Sequence, residues 1–229
     1  MNVVELTKSL ISCPSVTPNN EGVLDLLQKE LTDMGFTCNR YLFSDTDTPD
    51  VDNLFAKIGG GAPHLCFGGH TDVVPVGDEN AWSSNPFEAT EKNGKLYGRG
   101  ASDMKSAIAA FVSAVREYLE NNQVKGTISL LITNDEEGPA INGTRKVLEE
   151  IYKNGEKIDS CLVGEPTCPN NLGEMIKIGR RGGMTTNIKV SGKQGHVAYP
   201  EWTLNPINPL TSILNTLCNL ELDKGTEDF

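Results

Sequence analysis

The residues with chemistry to offer stand just beyond short apolar runs. Leu65-Cys66-Phe67-Gly68-Gly69 stops at His70, with Asp72 two residues on. In an extended chain, period-2 alternation aims those two side chains the same way, so they suit a metal ligand and the carboxylate that orients it. Taken alone, the pair fits a core histidine salt-bridged to its neighbour better; the residues that follow reverse that balance. Asp103 follows the glycine-rich Gly98-Arg99-Gly100 and precedes a helical pattern, which makes it either a helix N-cap or a carboxylate that glycines let approach a cation. Glu136 and Glu137 follow a third apolar run, and Glu165 a fourth. An imidazole among carboxylates is too oxygen-rich for a structural zinc site and better suits a catalytic pair of cations. Asp103 can bridge two metals ~3.5–4 Å apart. Successive residues at a strand end point apart, so Glu137 can ligate while Glu136 acts on water as general base and later proton donor. The chemistry is metal-assisted hydrolysis of an amide.

The elements that must position these groups follow from periodicity. Val3, Val4, Leu6, Leu10 and Ile11 mark one helix, and Val23 to Leu31, closed by Gly35, a second. Residues 36–43 and 54–58 read as strands separated by a polar loop over 45–52, and residues 65–69 as the strand that delivers His70. Asp103 opens a long helix whose face is Met104, Ile108, Phe111, Val112, Val115 and Leu119. Residues 127–133 and 159–164 are strands flanking a helix over 143–151, a β-α-β unit with parallel strands. Ligands bind at the carboxyl ends of strands in open α/β sheets, so His70, Glu136, Glu137 and Glu165 should converge on one crevice.

Composition narrows the partners. With 229 residues, the chain can build one full domain and something smaller. A net charge of −11 argues against nucleic acid or an anionic membrane and leaves a small-molecule substrate. Six cysteines without a C-x-x-C pair, and no signal peptide, read as reduced thiols in a cytoplasmic protein.

Four ordered motifs, His70-Thr71-Asp72, Gly100-Ala101-Ser102-Asp103-Met104-Lys105, Asp135-Glu136-Glu137-Gly138 and Gly164-Glu165-Pro166-Thr167, resemble the dizinc amidohydrolase family of aminoacylases and glutamate carboxypeptidases. The resemblance extends to Pro14-Ser15-Val16-Thr17-Pro18, Gly179-Arg180-Arg181-Gly182 and Gly195-His196-Val197-Ala198-Tyr199-Pro200. It implies an α/β fold, a mixed, mainly parallel sheet with flanking helices, over residues 1–178, followed by the start of a small α/β lid and dimerisation domain over 179–229. In that lid, Met184 to Val190 alternates as a strand, and Asn205-Pro206 starts a leucine-rich helix. By the same resemblance, His70 and Glu165 hold one zinc, Glu137 the other, and Asp103 bridges; cobalt can substitute. Asp72 orients His70, and Glu136 is the base. His196 polarises the scissile carbonyl of a partner subunit in a homodimer, and Arg180 and Tyr199 hold substrate carboxylates. A cis peptide is implied between Asp103 and Met104. The implied reaction is hydrolysis of N-succinyl-L,L-diaminopimelate to succinate and L,L-diaminopimelate, on the route to lysine and cell-wall precursors. A related N-acyl amino acid or dipeptide is the alternative substrate.

A dinuclear site of this kind also needs a second histidine. His64 lies six residues before His70 on one strand, about 20 Å away at ~3.3 Å per residue. His196 is already assigned to substrate. The expectation is therefore an incomplete, weakly active or inactive chain with one well-held metal, and with the lid's apolar face unburied.

Overall fold

The computed structural model describes residues 1–179, 182 and 184–225. Two compact units divide between Thr167 and Cys168, and the expected lid start at Gly179 lies inside the second.

The first unit is built on a five-stranded sheet. In chain order its elements are α1 (Val3–Ile11), α2 (Val23–Asp33), β1 (Thr37–Asp45), β2 (Thr48–Gly60), β3 (His64–His70), a small hairpin of β4 (Thr90–Lys92) and β5 (Lys95–Tyr97), α3 (Ser106–Asn121), β6 (Gly126–Thr133), α4 (Thr144–Lys153) and β7 (Ser160–Val163). The strand order is β1-β2-β6-β3-β7. Strand β3 runs parallel to both β6 and β7, whereas β2 is antiparallel to β6, and β1 to β2. The expected mixed α/β sheet is thus present, with β6 and β7 made parallel by the strand between them.

Both faces of the sheet are covered along β2 and β6, which is why their middles read as apolar runs, whereas all four residues of the edge strand β7 are exposed. Leu54, Ala56, Phe67, Leu130 and Ile132 pack with α1, α2 and α3 on one side. Phe55, Cys66 and Leu131 meet Val147 and Ile151 of α4 on the other.

Two local expectations are corrected. The polar stretch 45–52 is mostly strand: β2 begins at Thr48, after a tight turn in which Asp47 takes φ 60° and the Thr48 hydroxyl donates to the Asp45 carbonyl. Its charges disguised it, because Asp52 is spent on a cross-strand ion pair with Arg40. Nor does Asp103 open a helix. Helix α3 starts at Ser106, and Asp103 is extended, at φ −119° and ψ 98°, inside an irregular turn, Ala101–Lys105.

That turn is anchored from below. Lys105 is fully buried, and its Nζ donates at 2.8 Å to the carbonyls of both Leu10 and Cys13, at the end of α1. Burial pulls its pKa down to about 8, against the lift from Cys13 and Asp72. A cation is well placed at a helix C-terminus. Lys105→Met, which keeps the bulk and removes the donor, is expected to cost about 1–3 kcal/mol in urea unfolding, because two buried carbonyls lose a charged partner.

In the second unit, helix α5 (Ile207–Cys218) is preceded by Asn205, whose side chain accepts from the Ile207 amide at 3.0 Å. Ile207, Ile213, Leu214 and Leu217 are exposed. Among the described residues, the expected strand over Met184–Val190 does not form, since alternation supplies no neighbour to bond with; the unit's one bridge joins Lys193 and Leu204.

Candidate metal centre

The carboxyl ends of β3, β6 and β7 place the candidate side chains. His70 is the last residue of β3, Glu136 and Glu137 follow β6, and Glu165 follows β7. Asp103 arrives from the side because Met104 is packed under the strand ends. A Cβ on Gly69 would lie 2.7 Å from the Met104 methyl, and one on Gly164 would lie 2.8 Å from it. Those two glycines therefore let the Ala101–Lys105 turn close over the sheet. The Asp103–Met104 peptide is cis, as the resemblance implies.

His70 is buried, and its Nε2 lies 3.1 Å from Asp103 Oδ1 and 3.4 Å from Glu165 Oε1. Ligand atoms of His70, Asp103 and Glu165 all fall within 4.8 Å of one another, as do those of His70, Glu136 and Glu137. The structure thus brings together the four residues expected to converge at the strand ends and adds Asp103 to them.

Asp72 acts differently from the simplest reading of His-x-Asp. The acceptor at His70 Nδ1 is the Asp72 carbonyl oxygen, at 2.9 Å, which leaves Nε2 for a ligand. The Asp72 carboxylate stands 3.6 Å from Nδ1. It accepts instead from the backbone N–H groups of Glu136, at 3.2 Å, and Glu137, at 3.0 Å. One fully buried aspartate therefore fixes both the imidazole and the adjacent acidic residues.

The electrostatics favour a cation. Burial opposes protonation of His70, but the Asp72 carboxylate and carbonyl, with Glu136, outweigh it and raise the pKa to about 9. Burial and the charge of Asp103 push the Glu137 carboxyl up. An imidazole nitrogen and crowded, partly desolvated carboxylates form a donor set that suits a divalent cation of borderline hardness.

The other expected site residues fall elsewhere. His64 is buried at the far end of β3, its ring nitrogens 2.8 Å from the Lys157 carbonyl and 2.7 Å from the Ser129 hydroxyl, so it is structural. His196 and Tyr199 belong to the second unit, where both are exposed; Tyr199 stacks on Trp202 at 5.0 Å. Arg180 lies outside the described residues. Sequence reasoning assigned no role to Ser15, whose hydroxyl donates to the Thr71 carbonyl at 2.6 Å and whose own carbonyl accepts from the Val73 amide at 2.9 Å. A conspicuous Pro-Ser-Val-Thr-Pro turn was the available signal.

Comparison with known proteins decides the family, because the model of peptidase family M20/M25/M40 matches residues 66–227. The chain belongs to this family. Among curated M20-type relatives, it is 54% identical over 226 residues to succinyl-diaminopimelate desuccinylase of Parvibaculum lavamentivorans, covering 99% of this chain and 57% of that protein. It is 53% identical to the protein of the same name from Rhodospirillum centenum, covering 99% and 59%. The chain thus spans under two thirds of their length. An M20 family metallo-carboxypeptidase from Sulfolobus solfataricus superposes with a TM-score of 0.61 at 25% identity, over 72% of this chain and 37% of that one. A tripeptidase from Staphylococcus aureus shares the fold, with a TM-score of 0.65 at 16% identity, over 99% and 58%.

Proposed function

We propose that this M20 protein hydrolyses the amide bond of N-succinyl-L,L-diaminopimelate to succinate and L,L-diaminopimelate. The observation that carries the reading is identity of 53–54% along 99% of the chain to proteins of that name. The imidazole–carboxylate cluster at the strand ends supports it.

His70 Nε2 and Glu165 are assigned to one zinc, Glu137 to a second, and Asp103 to both, with cobalt as the expected substitute. Bound zinc would supply Lewis acidity, polarising the amide carbonyl and acidifying water. Glu136 is exposed, with its backbone held by Asp72, and is assigned the proton traffic. It takes a proton from the attacking water and returns it to the leaving nitrogen. From the second unit, we assign His196 to the scissile carbonyl of a partner subunit, and Tyr199 and Arg180 to substrate carboxylates, Arg180 by its planar fork. The exposed apolar face of α5 supports a lid through which a homodimer forms. Free thiols support a cytoplasmic setting.

Purified, zinc-loaded protein should release succinate from N-succinyl-L,L-diaminopimelate faster than it cleaves N-acetyl amino acids or dipeptides, as followed by loss of amide absorbance. Preference for a dipeptide would reassign the substrate, and no cleavage of any of these with two zinc ions bound per chain would reject the reading.

A further inference from the structure

Asp135 stands immediately before the two glutamates and has no part in the cluster they form with His70. It is only 3% exposed. A carboxylate so buried needs compensating donors, and backbone amides supply them. Ala140 N–H donates to Oδ1 at 3.1 Å, while Ile141 and Asn142 N–H donate to Oδ2 at 2.9 and 2.8 Å. Hydrogen bonds to a charged acceptor are stronger than neutral ones, so this aspartate closes the loop after Glu136 and Glu137 back onto its own start.

The loop is fixed at three further points. Asp72 holds the amides of Glu136 and Glu137 at the near end. At the far end, buried Asn142 donates at 2.8 Å to the Thr48 hydroxyl and the Pro49 carbonyl, and its own carbonyl accepts from Asn53 at 2.9 Å. Between them the chain squeezes past the Pro14–Pro18 turn: a Cβ on Gly138 would sit 2.7 Å from Thr17 Oγ1 and 2.8 Å from Asp135 Oδ1. Thr17 is itself tied to the His70 segment by its N–H, which donates to the Val73 carbonyl at 3.0 Å.

We propose that Asp135 is a positioning residue for amide hydrolysis: by collecting the amides of Ala140, Ile141 and Asn142 it locks the acidic loop, so that Glu136 and Glu137 are held at the strand ends. Gly138 is the point at which the loop must pass without a side chain. This deepens the proposed function and rests on it. In Asp135→Asn one oxygen remains, but an NH₂ now faces an N–H, so the clamp opens while the fold keeps its core.

Three readouts test the clamp: steady-state kinetics at saturating zinc, zinc per chain, and amide hydrogen exchange. For Asp135→Asn the expectation is a kcat lowered about 10–100-fold, the range typical of losing an outer partner at a metal site, with KM within about threefold. Zinc per chain should be kept. Exchange over residues 136–142 should speed up at least about tenfold, while amides of β3 and β6 keep their protection. Gly138→Ala, which intrudes on the same loop without changing charge, should lower kcat in the same way. Unchanged kcat despite faster loop exchange would overturn the proposal. So would a kcat loss that tracks lost zinc or lost protection of β3 and β6. Should the unaltered protein cleave no amide with two zinc ions bound per chain, the functional reading fails and the clamp is judged on exchange alone, where unchanged protection of residues 136–142 overturns it.

Discussion

Glu136→Gln should lower amide hydrolysis by about 10²–10⁴-fold, the usual contribution of a positioned general base, while zinc content stays close to that of the unaltered protein. The carboxylate that moves a proton must be accessible to water and substrate, and Glu136 is exposed where its neighbour Glu137 is half-buried. Its position is set by the backbone, because Asp72 accepts from its N–H at 3.2 Å. Glutamine keeps the shape and that backbone hydrogen bond but cannot accept the proton. Kinetics with parallel metal analysis checks the outcome. Loss of zinc in step with activity would make Glu136 a ligand, a role that the proximity of its oxygens to His70 and Glu137 makes worth excluding.

His70→Ala should weaken zinc binding by more than about 100-fold, beyond the 10–100-fold typical of losing an outer partner. Both candidate clusters among the described residues contain His70, and the substitution removes the nitrogen donor from the zinc that His70 is assigned to hold with Glu165. The same ring gives zinc binding its pH dependence. With its pKa raised to about 9, His70 is protonated at neutral pH in the metal-free protein, and a cation must displace that proton. Apparent affinity should therefore rise as the pH approaches about 9 and level off above it. Titration calorimetry across pH 6.5 to 9.5 would show both effects, and zinc should no longer raise the melting temperature of His70→Ala. A pH-independent affinity would mean that the imidazole is not the group being displaced.

The five strands of the main sheet, apart from the start of β2, the parallel β-α-β unit and the convergence of His70, Glu136, Glu137 and Glu165 were legible in the sequence. Each rests on a one-dimensional signal, an apolar run followed by a charged residue, and burial of the central strands makes that signal strong. The helical patterns of α1, α2 and α4 were equally plain, since one apolar stripe decides each. What stayed hidden depends on contacts between residues far apart in the chain. Asp52 looked like loop until its ion pair with Arg40 made it strand. Asp103 looked like a helix cap because nothing in the sequence says that Met104 will fill the space over Gly69 and Gly164 and draw the turn away from the helix. Asp72 was expected to serve His70 by its carboxylate, yet that group is taken up by amides more than sixty residues away, at Glu136 and Glu137, leaving the carbonyl for the imidazole. Residue types and spacing determined which groups could meet a cation. The tertiary structure decided which atoms hold them there, because a buried carboxylate takes whichever donors the fold brings within reach.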